Sequence, residues 1–149
     1  MQIWSRGIGY MLQYPVFGVG PNNFGMAEGT LAPFADRQHF GIGVRWNAAH
    51  NSFVQAGAEL GVPGLLFFVA TIAAAFAALG RSARPVRSPA WTRSTRPELT
   101  QALTASLLSF VVGAFFLSLA YSEMLYTLVA LAVGLHKVTA GAARSPEAR

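Results

Sequence analysis

The sequence has no cysteine and little charge. Of its 149 residues, 11 % are Asp, Glu, Lys or Arg, where a soluble domain carries about 25 %. Without cysteine, a disulfide scaffold and a thiolate zinc site are excluded. A hydrophobic content of 53 % and a mean hydropathy of +0.41 exclude a disordered segment. A Gly-x-Ser-x-Gly elbow and a His-Glu-x-x-His pair are also missing, which sets aside the commonest serine and zinc hydrolase motifs. What is present is apolar sequence in long blocks, within a length that suits one domain at most. This points to a membrane protein, or part of one, rather than an ordinary soluble enzyme.

The formal charge of +5 is unevenly placed. Residues 1–62 balance Arg6, Arg37 and Arg45 against Glu28, Asp36 and Glu59. The excess comes from the remainder. Arg81, Arg84, Arg87, Arg93 and Arg96 fall between two apolar blocks, and Lys137, Arg144 and Arg149 follow the last one. A nucleic-acid surface needs interleaved aromatics or a recognisable module, and here only Trp91 interrupts the arginines. Basic loops beside apolar spans read instead as cytoplasmic anchors.

Three apolar blocks carry that reading. Residues 62–80 and 103–121 hold no charge, and each approaches the roughly 20 residues needed to cross the hydrocarbon core. The third, 124–138, is short unless Lys137 snorkels at its end. It follows the second after only Ser122 and Glu123, as the return half of a helical hairpin would. With the basic loop 81–98 and the tail 139–149 cytoplasmic, residues 1–61 lie on the outer, periplasmic face. The expected architecture is an all-α membrane protein: an outer-face amphipathic helix and loop segment, followed by about three transmembrane helices. The first dozen residues lack a basic n-region and a cleavage site. Earlier spans are therefore expected upstream, the chain being the C-terminal part of a larger protein.

In the outer segment, Ile3, Trp4, Ile8, Met11 and Leu12 recur at helical spacing. Trp4, Tyr10 and Tyr14 suit a helix at the headgroup level; a helix packed on its own protein fits equally well. Pro15 should end it. Gly18-Val19-Gly20 lacks the third glycine of a dinucleotide loop, and Pro21 stands where the helix would start, so this is a turn. Residues 25–48 read as a loop with room for one short helix.

The most informative stretch is AHNSFVQAGAELGVPGLL, residues 49–66. Ser52 and Gln55 have capping-box spacing, predicting a helix over 53–60. Gly61 then supplies a left-handed position, and Pro63 holds the next helix apart. His50 and Asn51 thus stand just before a helix N-terminus, whose dipole favours bound anions. A neutral imidazole there suits a general base for a hydroxyl if the substrate carries phosphate; a polar loop residue is the plainer alternative. Arg45 either grips a phosphate bidentately or solvates the loop. His39 lies in a loop with few carboxylates, so no metal site is expected, and His136 reads as an interfacial anchor. Gly113 and the small residues 73–75 are candidate helix-packing positions.

His50-Asn51, nine residues, then Gly61-Val62-Pro63-Gly64 resembles the histidine motif of the O-antigen ligase family. The upstream stretch from Trp4 through YPVFGVGPNNF is similar to the segment that leads into that family's large outer loop. The resemblance covers residues 1 to about 135. It implies a metal-independent, cofactor-free glycosyltransferase of the inner membrane. Such an enzyme moves a glycan from an undecaprenyl-diphosphate carrier to a sugar hydroxyl, on lipid A-core or on a growing polysaccharide. Carried over, His50 is the catalytic base; Arg45 and Asn51 are candidate contacts to diphosphate or acceptor, and Ser52, Gln55, Gly61 and Gly64 are the structural motif. A family arginine expected just before Trp4 would fall upstream of residue 1. The 149-residue chain alone is therefore expected to be inactive. The competing reading is a non-catalytic membrane protein, or a truncated remnant of that family; a transporter is disfavoured because no ionisable residue interrupts the first two blocks.

Overall fold

Five α-helices and no strand form among the described residues of the computed structural model, which are 2–32, 48–83 and 90–142. They are α1 (Gln2–Gln13), α2 (Phe24–Thr30), α3 (Ser52–Ser82), α4 (Ala90–Ala114) and α5 (Glu123–Ala142). Two compact units result: Met1–Val69 with Gly113–Ala120, and Ala70–Val112 with Tyr121–Arg149.

The first unit is organised by a defect in α3. Gly61 has φ +71° and ψ −169°, which breaks the helix where the glycine was expected to break it. A continuous helix would satisfy the carbonyls of Ala58 and Glu59 with the amides of residues 62 and 63. Pro63 has no amide, and the kink turns Val62 N–H away to the carbonyl of Pro15 at 2.8 Å. The two orphaned carbonyls are taken by the glycine turn: Val19 N–H donates to Ala58 O at 2.9 Å and Gly20 N–H to Glu59 O at 3.0 Å. Such close backbone approach leaves no room for side chains. A Cβ on Gly18 (φ +63°) would collide with the backbone of Ala58 and Glu59, and one on Gly61 would sit 2.5 Å from Pro15 O.

Helix α1 stops at Gln13, two residues short of Pro15, and packs on the first half of α3. Its packed face differs from the one its apolar spacing suggests. Gly7 and Tyr10 are buried, Ile3 packs beside them, and Ile8 and Leu12 are 46 % and 69 % exposed. Glycine at position 7 carries no hydrophobic signal, yet it lets Val54 and Phe24 close in, while Met11 Sδ lies over Gly57. Tyr10, at 5 % exposure, belongs to a cluster with Phe24, Ala27, Ala49 and Ala58 and is not a headgroup anchor.

In the second unit the buried residues include Ala75, Leu79, Leu107 and Leu125. Of the alanines at 73–75, only Ala75 is buried; at Gly113, in the first unit, the side chain of Leu119 lies 4.0 Å from the Cβ position and no second helix does.

Among the described residues, α3 and α5 are the helices long and apolar enough to cross a membrane. Only 28 % and 17 % of their apolar windows are buried, so their greasy surface faces outward. The third block, short by composition, gains length because α5 runs for 20 residues, roughly 30 Å. The second block loses length. Helix α4 ends at Ala114, so its apolar helical part, residues 103–114, covers only about 18 Å of a core about 30 Å thick. Phe115–Tyr121 leave the helix because the start of α3 offers them polar partners.

Gly61→Ala should lower unfolding stability by at least about 2 kcal/mol, since it adds left-handed strain to a backbone collision. Gly80→Ala, where a Cβ meets nothing within 4 Å, should be neutral or slightly stabilising. Denaturant unfolding of both variants in detergent would test this, and equal behaviour would remove the docking account.

Candidate functional site

His50 is exposed and holds a left-handed backbone, φ +48°. That conformation is uncommon for a residue with a side chain and persists only where its surroundings enforce it. The surroundings are visible on both sides. Asn51 caps α3: its Oδ1 accepts from Phe53 N–H at 2.9 Å and Val54 N–H at 3.0 Å, and its Nδ2 donates to Phe115 O at 3.3 Å. His50 N–H donates to Ser118 Oγ at 3.0 Å.

The strap 115–120 is gripped twice more. Ser52 Oγ donates to Leu117 O and accepts from Leu119 N–H, both at 2.8 Å. Gln55 Oε1 accepts from Ala120 N–H at 3.4 Å. The capping box expected from Ser52 and Gln55 is thus corrected. Asn51 takes the amides the serine was to have taken, and Ser52 and Gln55 turn to the strap, whose backbone groups at Leu117, Leu119 and Ala120 lose helical partners once α4 has ended. Phe53 supports the strap through Phe115, ring centroids 4.8 Å apart.

The capping also changes the anion argument. Two of the first amides of α3 are occupied by Asn51, so the helix end is closed by its own side chain rather than open to a phosphate. Asn51 is 4 % exposed and works as a cap and tether, not as a contact presented to a ligand. Gly64, the last motif glycine, is crowded by Leu60 across the kink. Arg45 and His39 lie outside the described residues, so neither is placed beside His50. Among the described residues no group of three His, Cys, Asp or Glu forms a metal site.

Beside His50 is a cavity of about 310 Å³, lined by Asn22, Phe24, Ala48, Gln55, Glu59 and Ser118 among others. Glu59, 1 % exposed, accepts from Asn22 N–H and from Phe24 N–H, both at 3.0 Å. Phe24 is the first residue of α2, and its preceding Asn23 makes no side-chain cap bond. A carboxylate from α3 therefore caps α2, where the helix dipole favours negative charge.

A second acid, Glu28, is fully buried and holds α1 to α2. Arg6 grips it with a fork, Nε to Oε1 at 2.8 Å and Nη2 to Oε2 at 2.6 Å, and Tyr10 Oη donates to Oε1 at 2.8 Å. Sequence reasoning missed this cluster. The partners are 18 and 22 residues apart, and the only local hint was that Arg6 and Tyr10 share one face of α1 at i, i+4. The Arg6 guanidinium is committed to Glu28, whose hydrogen bond raises its pKa further. Burial, and then the hydrogen bond to Glu28, push the Tyr10 phenol well above its ordinary value of 10.0.

A phenol whose pKa is raised on folding stabilises the fold fully below the unfolded value, and that contribution is lost as pH climbs toward the folded one. Thermal unfolding should therefore show a decline that begins near pH 10. Tyr10→Phe should lower stability at neutral pH by roughly 1.5–3 kcal/mol, one hydrogen bond to a charged group. It should also flatten the alkaline decline. A decline of equal steepness in the variant would place the titration elsewhere.

Residues 1–69 match the family model for the O-antigen ligases. No curated protein and no solved structure matches the chain. The matched stretch ends where the first part of the first unit ends, at position 69. It includes α1, the glycine turn, α2, His50 with its cap, and the kink of α3. Over these residues, a little under half of the chain, the protein is similar to the O-antigen ligase family.

Proposed function

We propose that this membrane protein is the C-terminal part of an O-antigen ligase-like glycosyltransferase of the bacterial inner membrane, with the His50 turn on the periplasmic side. The donor is a glycan on undecaprenyl diphosphate, and the acceptor is a sugar hydroxyl of lipid A-core or of a growing polysaccharide. One observation carries the reading. An exposed histidine is held in a strained left-handed turn by a cap on one side and a strap on the other, within the stretch that matches the family. Strain maintained at an exposed polar side chain is a mark of functional sites.

In this mechanism the acceptor oxygen attacks the anomeric carbon of the donor sugar. Its proton passes to the imidazole of His50. The bond from that carbon to the diphosphate oxygen breaks, and the electron pair leaves with undecaprenyl diphosphate. Proton removal by a positioned base contributes about 10²–10⁴ in rate. Arg45 is the proposed diphosphate contact in this chain, because Arg6 is already engaged by Glu28. A guanidinium there would stabilise charge on the leaving group as it develops.

His50→Ala, in the protein expressed in its native gene context, should reduce glycan transfer in isolated membranes by about 10²–10⁴. The amount of protein in the membrane should not change. Transfer at the wild-type rate would remove His50 as the base.

A further inference from the structure

The cavity beside His50 holds polar groups that the capping and docking described above do not use. Gln55 is 8 % exposed, and its Oε1 faces Ala120 N–H, but its Nε2 has no hydrogen-bond partner among the described residues. An amide donor open to a cavity in this way is satisfied by water or by a ligand oxygen that displaces it. Ser118 uses its Oγ as an acceptor for His50 N–H, which leaves its hydroxyl hydrogen without an acceptor among the described residues. Both side chains line the cavity, and Ala49, the neighbour of His50 in the chain, lines it too.

Two donors in a polar recess suit a ligand rich in hydroxyl oxygens. Charge narrows the class. No lysine or arginine is among the described lining residues, so the recess offers a phosphate or a carboxylate no cation to pair with. A volume of about 310 Å³ lies at the low end of small-molecule sites, about 300–1,000 Å³. It matches one ring better than an extended chain or a lipid. We propose that this cavity binds the ring of the neutral polyol whose hydroxyl is delivered to His50, and that Gln55 is its specificity-determining contact. This rests on the assignment of His50 as the base for a hydroxyl acceptor.

Binding is separable from catalysis, so the test reads binding first. Saturation-transfer NMR on the whole chain in nanodiscs would use methyl β-glucopyranoside as the neutral probe and glucose 6-phosphate as its anionic counterpart. The wild type and His50→Ala should both transfer saturation to the neutral probe, with little to the phosphate. Gln55→Glu keeps an acceptor oxygen for Ala120 N–H but removes the amide donor; it should bind about tenfold more weakly. Ala48→Phe, from an exposed position on the cavity wall, should block binding without touching either donor. No transfer to the neutral probe in the wild type, equal transfer in the two cavity variants, or preference for the phosphate would each overturn the proposal. A failure of the base assignment would appear separately, as sugar binding that depends on Gln55 while His50→Ala still transfers glycan in membranes.

Discussion

Two backbone carbonyls, those of Ala58 and Glu59, set the terms for the first unit. They are orphaned because Pro63 offers no amide and Gly61 turns Val62 aside to Pro15. Orphaned backbone groups in a buried setting must find partners, and these find Val19 and Gly20. That single requirement brings the glycine turn against α3. It thereby seats α1, which precedes the turn, and α2, which follows it. The side chain of Glu59 completes the arrangement by capping α2. The glycine turn and the Gly-Val-Pro-Gly segment are two halves of one joint, and each glycine with positive φ lies where the other half's backbone passes.

Much of this was legible locally. The break at Gly61, the stop before Pro15 and the helix beginning just after His50 all follow from residues whose backbone preferences are strong. The features that failed to show were those settled by distant partners. The spacing of Ser52 and Gln55 describes a capping box in isolation, but nothing near them reveals that a strap more than sixty residues away will offer better acceptors and donors. The second apolar block reads as a uniform span because its composition is uniform. Its helix ends at Ala114 for a reason located on α3. Likewise, Tyr10 has the amphipathic character of an interfacial residue, and only the buried carboxylate of Glu28 decides that it goes inward.

The site shows the same division. His50 could be singled out from its place ahead of a helix and from the resemblance around it. The means by which it is held could not, since these are the cap from Asn51 and the hydroxyl of Ser118. The family match stops at residue 69, yet four hydrogen-bonded residues of that stretch, from His50 to Gln55, reach for 115–120. The boundary of recognisable sequence and the boundary of the physical unit are therefore different.

That long reach also fixes an order of assembly. The bonds between the His50 turn and the strap join residues 64 to 68 positions apart. At about 5–20 residues per second of synthesis, the turn waits roughly 3–14 s before the strap exists. During that interval the chain can complete the joint between the glycine turn and α3, which needs nothing beyond residue 62, but not the support that strains His50. The scaffold is thus ready while the histidine is still slack, and its functional shape arrives only when α4 has been made and the chain has come back.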